Sequence, residues 1–145
     1  MAQVRKPSPG TRWLGVATAS MSALATGAVW CVIALRTGRE MPWFAFVSAV
    51  VIAWALRANG FSGSRPGALL AALLTALACV YAQVLLGIGD VAQALGFSLR
   101  DTLLRIGADF ALAIVRGRIA PWATATWLVA MAVAAWLVWR QPPRT

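Results

Sequence analysis

The chain has 145 residues, of which 61% are hydrophobic and 12% charged, against roughly 25% charged in an ordinary soluble domain. A soluble fold of this length has too little interior to hide that much apolar surface, so the composition excludes one and assigns an all-α integral membrane protein. The net charge of +9 comes from 13 Lys and Arg scattered between apolar runs. No basic face with stacking aromatics forms, which sets nucleic acid aside and points to anionic lipid headgroups as partners.

Residues 1–12 hold Arg5, Lys6 and Arg12 with two prolines and no acid, and read as a basic, disordered tail. Residues 13–139 read as one transmembrane domain. Its first span is 13–35, 23 residues without a charge, long enough for a hydrocarbon core of ~30 Å. Ala23-Leu24-Ala25 resembles a signal-peptide cleavage site, but the apolar run continues to Leu35, which favours a retained span. Arg36 to Glu40 form a polar turn, and Pro42 suits the first turn of a second span at 41–56. This span is short, and Trp43 and Arg57 are placed to anchor its ends. A loop with Asn59, Gly60, Gly63 and Ser64 leads to Pro66 and a third span at 66–88, its far end marked by Gly87, Gly89 and Asp90. The fourth span is 119–138, and 140–145 form a basic tail broken by prolines.

Between the third and fourth spans lies SLRDTLLRIGADFALAIVRGR, residues 98–118, where charges recur regularly. Ser98 and Asp101 have capping-box spacing, so a helix is predicted from Leu99 and over 98–116. At 100° per residue, Arg105, Arg116 and Asp109 fall about 40°, 60° and 80° round the helix from Asp101, making one polar stripe into which only Leu112 intrudes. Leu99, Leu103, Ile106, Phe110 and Ile114 gather opposite. One reading is an amphipathic helix in the membrane interface with solvated charges. The sharper reading makes Asp101, Arg105, Asp109 and Arg116 the lining of a polar pocket or ion path.

Within the spans, Gly15, Ala19, Ala23 and Gly27 recur every fourth residue, as do Ala45, Ala49 and Ala53. Such spacing lets helix backbones approach closely, so Gly15 to Gly27 is the candidate helix-packing face. Gln83 is the strongly polar residue inside a span and reads as a bridge between helices or a substrate contact. Most of the eight Trp lie near the ends of apolar runs, as in an interfacial belt.

The chain has no histidine, which removes His-held haem, the usual zinc sites and His-based acid–base catalysis. Cys31 and Cys79 lie in different spans with no CxxC, and read as small core residues. No acid falls inside an expected span, which counts against a proton-coupled carrier. A lipid-modifying enzyme using Asp90 or Asp109 lacks any cluster of carboxylates to support it. No catalytic residue, metal or cofactor is therefore assigned.

Thr37-Gly38 with Trp43 after the first span, Ala55-Leu56-Arg57 closing the second, the Gly-Ser-Arg turn and Gly67-Ala68-Leu69-Leu70 opening the third carry a resemblance. Over residues 13–139 the chain resembles a family of uncharacterised small bacterial four-span integral membrane proteins, some with an N-terminal zinc ribbon. It has no Cys pair before the first span, so no metal-binding tail is implied, and the likeness brings no activity with it.

The expectation is a four-span bundle with an interfacial amphipathic helix, in a bacterial cytoplasmic membrane with both termini cytoplasmic. That orientation places Arg5, Lys6, Arg12, Arg57, Arg65, Arg140 and Arg144 inside and all four acids outside. The expected function is non-enzymatic, through helix packing and assembly as a homo-oligomer or accessory subunit. The alternative is a small oligomeric transporter or channel for an ion or small solute.

Overall fold

The computed structural model describes residues 9–39, 41–105, 109, 113, 116–117 and 121–140. All regular structure among these residues is helical: α1 Pro9–Thr37, α2 Phe44–Ala58, α3 Arg65–Leu95, α4 Leu99–Arg105 and α5 Pro121–Trp139. Three helices are long and apolar enough to cross a membrane, over Trp13–Thr37, Arg65–Leu95 and Pro121–Trp139. The apolar α2 is shorter, at 15 residues, about 22 Å of rise.

Several helix ends differ from the sequence expectation, each for a local reason. The first helix begins at Pro9, not Trp13. Proline fits a first turn because its missing N–H needs no partner there. In the second, Met41–Trp43 make a tight turn, with the amides of Phe44, Ala45 and Phe46 donating to the carbonyls of Met41, Pro42 and Trp43 at 3.1, 3.1 and 3.0 Å. These three-residue spacings delay the regular α-helix to Phe44. Its far end runs past Leu56 to Ala58, where Asn59 folds back so that its side-chain N–H donates to the carbonyl of Ala55 at 2.8 Å.

The largest difference is in α3. Gly87, Gly89 and Asp90 do not end it; the helix runs on to Leu95. A helical glycine costs only ~1 kcal/mol, and Gly89 packs against Leu35 of α1. The stop is Gly96, whose φ of 69° is left-handed, with the amide of Phe97 donating back to the carbonyl of Ala92 at 3.0 Å. That geometry satisfies the last carbonyls and favours glycine. At the other end, Ser64 caps α3 by accepting from the Gly67 amide at 3.2 Å, with Pro66 in the first turn.

The helices form an up-and-down bundle in which α1 runs parallel to α3, Gly27 lying against Ala78 and Gly89 against Leu35, while α2 and α5 run the other way. α3 packs along α1 and α5, α2 packs along the same two helices, and α1 and α5 occupy opposite corners. One end, here called proximal, holds the start of α1, the 59–64 turn and the end of α5, where the Gly63 amide donates to the carbonyl of Val138 at 2.9 Å. The distal end holds Gly38, Arg39, the Met41–Trp43 turn, α4 and the start of α5. The core is mostly alanine: Ala19 and Ala23 from α1, Ala45, Ala49 and Ala53 from α2, Ala71, Ala78 and Ala82 from α3, and Ala130 and Ala134 from α5 are buried. Lipid tails are as apolar as these side chains, so close packing, not exclusion from water, holds the bundle together.

Serine and threonine side chains on the helices are satisfied by their own backbone. Thr18, Ser20, Ser22 and Thr26 each donate to a carbonyl four residues earlier at 2.8–2.9 Å, and Thr75 does the same to Ala71 at 2.8 Å. This lets hydroxyls sit in an apolar medium without an unmet donor.

Candidate functional site

Gly15, Ala19, Ala23 and Gly27 do form one buried face, and the chain itself covers it. A Cβ at Gly15 would lie 2.7 Å from the Asn59 Cβ and 3.0 Å from the Phe61 ring, and one at Gly27 would lie 3.1 Å from the Ala78 carbonyl oxygen and 3.0 Å from the Tyr81 ring. The absence of a side chain at these positions brings α1 against the 59–64 turn and α3. Ala45, Ala49 and Ala53 are likewise buried on α2. The small-residue stripes are the seams of the bundle.

What the bundle turns outward is apolar. Val29 and Val32 on α1, Val47 and Val50 on α2, Leu69, Leu73 and Leu77 on α3, and Leu128 and Val129 on α5 are exposed. Trp13, Trp54, Trp136 and Trp139 are exposed towards the proximal end, and Trp43 and Trp122 towards the distal end. Two tryptophan rings bounding an apolar band match the interfacial girdles of membrane proteins. The guanidinium of Arg140 lies 4.7 Å from the centre of the Trp136 ring, a cation–π contact that suits the boundary between headgroups and hydrocarbon.

Two tryptophans do not join these girdles. Trp30 is 2% exposed, and its ring stacks on Phe44 at 6.2 Å. Its indole N–H and that of Trp127 are buried and meet no acceptor among the described residues. Both rings line a small cavity with Gln83, Leu86, Met41, Pro42, Trp122 and Ala123. A buried donor without a partner costs ~1–3 kcal/mol, and both of these donors belong to rings that line this cavity. Gln83, 8% exposed, thus shares this cavity with side chains of α1 and α5. Nothing in the sequence pairs Trp30 or Trp127 with Gln83, because the three belong to separate helices.

Leu86 also borders a second, larger cavity of about 270 Å³ at the distal end, lined by Ala34, Leu35, Gly38, Arg39, Asp90 and Gln93. It places a cation, a carboxylate and an amide over an apolar floor. Its one sequence signal is that Arg39 and Asp90 flank the ends of apolar runs.

The polar stripe is described in part. The Ser98 hydroxyl donates to the Asp101 carboxylate at 2.6 Å and accepts from the Asp101 amide at 3.2 Å, so Ser98 caps α4 at Leu99, with the carboxylate taking the serine hydroxyl where a full capping box would take the serine amide. Asp101, Asp109 and Arg116 are exposed. The Arg105 side chain lies outside the described residues, as do most of residues 106–120, so the expected helix over 98–116 is seen as α4 and at 109, 113 and 116. Cys31 and Cys79 are buried and free. Among the described residues no three His, Cys, Asp or Glu side chains converge.

This architecture fits an integral membrane helix bundle. Comparisons with protein-family models, with curated proteins and with solved structures found no match to the chain.

Proposed function

We propose that this chain is a non-enzymatic, four-span integral membrane protein that acts by lateral assembly, as a homo-oligomer or as an accessory subunit of a larger membrane complex. The observation that carries this reading is that the chain's own helices close its small-residue seams, while the surface between the two tryptophan girdles is apolar. Such a molecule presents its binding surface sideways, to lipid and to other spans. α2 would be the fourth span, its shortness met by local thinning of the bilayer and by Trp43 and Trp54 near its ends. The segment 98–116 would lie in the distal interface. Among the described residues Arg57, Arg65 and Arg140 make the proximal end basic without a nearby acid, which supports contact with anionic headgroups and a cytoplasmic placement of both termini, in the bacterial membrane that the sequence resemblance suggests.

The test is gentle extraction from the native membrane, followed by mass measurement of what is recovered and in what stoichiometry. A defined foreign subunit or a homo-oligomer of fixed size supports the reading; a lone monomer across several mild detergents and nanodiscs removes it. Because Gly15 and Gly27 face their own chain, Gly27→Leu is expected to unfold the bundle and is not a probe of association.

A second reading, a small oligomeric transporter or channel, is favoured by the 270 Å³ distal cavity with Arg39, Asp90 and Gln93, of the size of a small solute site. It predicts flux into liposomes that changes in Asp90→Asn. Tight vesicles across a panel of ions and small solutes would remove it.

A further inference from the structure

The cavity between Trp30, Gln83 and Trp127 has about 10 Å³ open to a water molecule, which is room for one water and no more. We propose that a single structural water is bound there, accepting hydrogen bonds from both indole N–H groups and pinning α1, α3 and α5 to one another.

The donor set decides the occupant. Indole nitrogen only donates, so two indoles at one cavity call for an acceptor with two lone pairs, and water has two. Its own hydrogens then need acceptors, and the Gln83 amide brings a carbonyl oxygen to the same lining. An anion would satisfy the indoles equally, but no charged side chain among the described residues lines this cavity. An unpaired ion in so apolar a place carries a far larger desolvation cost than a neutral water. Trp30 is held by its stack on Phe44, and Trp127 closes the second turn of α5. The cavity reaches the distal end of the bundle, where Met41, Pro42 and Trp122 line it, so hydrogen bonds and not isolation from bulk hold the water there.

The test is made on the full-length protein in lipid nanodiscs, with indole nitrogens labelled and the eight Trp signals assigned by Trp→Phe substitution. Water-selective cross-relaxation is expected to reach the indole protons of Trp30 and Trp127, with the sign of a long-lived bound water. In Gln83→Leu, where a branched apolar side chain fills the cavity, both signals are expected to be lost. Gln83→Met, of similar volume, gives a second reading should the leucine variant fail to fold. Absence of water contact at the two indoles in the wild-type protein overturns the proposal. So does a shift of the two indole signals when chloride is exchanged for bromide or nitrate, which would make the occupant an anion.

Discussion

The two ends of the bundle are built on opposite packing rules. At the proximal end backbone meets backbone: a Cβ on Gly67 would overlap the Phe61 carbonyl oxygen and lie 2.7 Å from the Ser64 Oγ, while Gly15 abuts Asn59. The 59–64 turn is also tied to α5 by the bond from Gly63, in left-handed backbone, to Val138. At the distal end bulky side chains, Trp30, Trp127, Leu35 and Leu86, stand between the helices and leave cavities that collect Arg39, Gln83, Asp90 and Gln93. Small residues give close contact without room for chemistry, and large ones hold helices apart and create space for polar groups. In a bilayer this sorts structure to one end and candidate function to the other.

One substitution made at both ends of α3 sharpens the contrast most. Gly67→Ala forces a methyl into fixed backbone and is expected to cost about 3 kcal/mol, at the upper end for overpacking. Gly89→Ala meets the flexible ends of Leu35, 2.8 and 2.9 Å away, beside the larger cavity into which Leu35 can turn. Its expected effect is within ~0.5 kcal/mol of zero, since alanine also relieves the helical cost of glycine. Denaturation by sodium dodecyl sulfate from mild micelles, followed by circular dichroism, measures both. Equal losses would remove the distinction between the two ends.

Next in size are the two boundaries of α3. Gly96→Ala places a methyl in left-handed backbone and is expected to lower stability by ~1 kcal/mol, with faster amide exchange at Phe97 as its local sign. Ser64→Ala deletes the cap on Gly67 and is expected to lose ~1 kcal/mol. Loss of exchange protection should centre on the first turn of α3, and a uniform change along the helix would argue against a capping role.

The last expected effect has the opposite sign. Ser48 is buried on α2 and its hydroxyl has no partner among the described residues, unlike the self-satisfied hydroxyls of α1 and Thr75. Ser48→Ala is expected to be neutral or to stabilise by up to ~1 kcal/mol, because it removes an unmet polar group at nearly constant volume. A clear loss in the same denaturation assay would mean that Ser48 has a partner in the membrane-embedded protein.

Much of this was legible from residue types. Helix content, the long apolar helices and the serine cap at Ser98 follow from local patterns, in which one stretch of chain supplies both the signal and its partner. Helix ends were harder to read, because Gly89 and Asp90 look like a stop while Gly96, seven residues after Gly89, is the residue that adopts left-handed backbone. The small-residue stripe was visible, but its occupant was not: spacing shows that a face can pack closely and says nothing of which helix will use it.

The sequence by itself determined the class of this protein, because apolar length, the absence of histidine and the scarcity of charge are sums over residues that need no neighbours. Tertiary structure alone decided that the Gly15 to Gly27 face is spent inside the molecule, that Gln83 shares a cavity with Trp30 and Trp127, and that Arg39 and Asp90 border one space. Each of those facts depends on the relative placement of helices far apart in the chain, which packing sets and local periodicity does not encode.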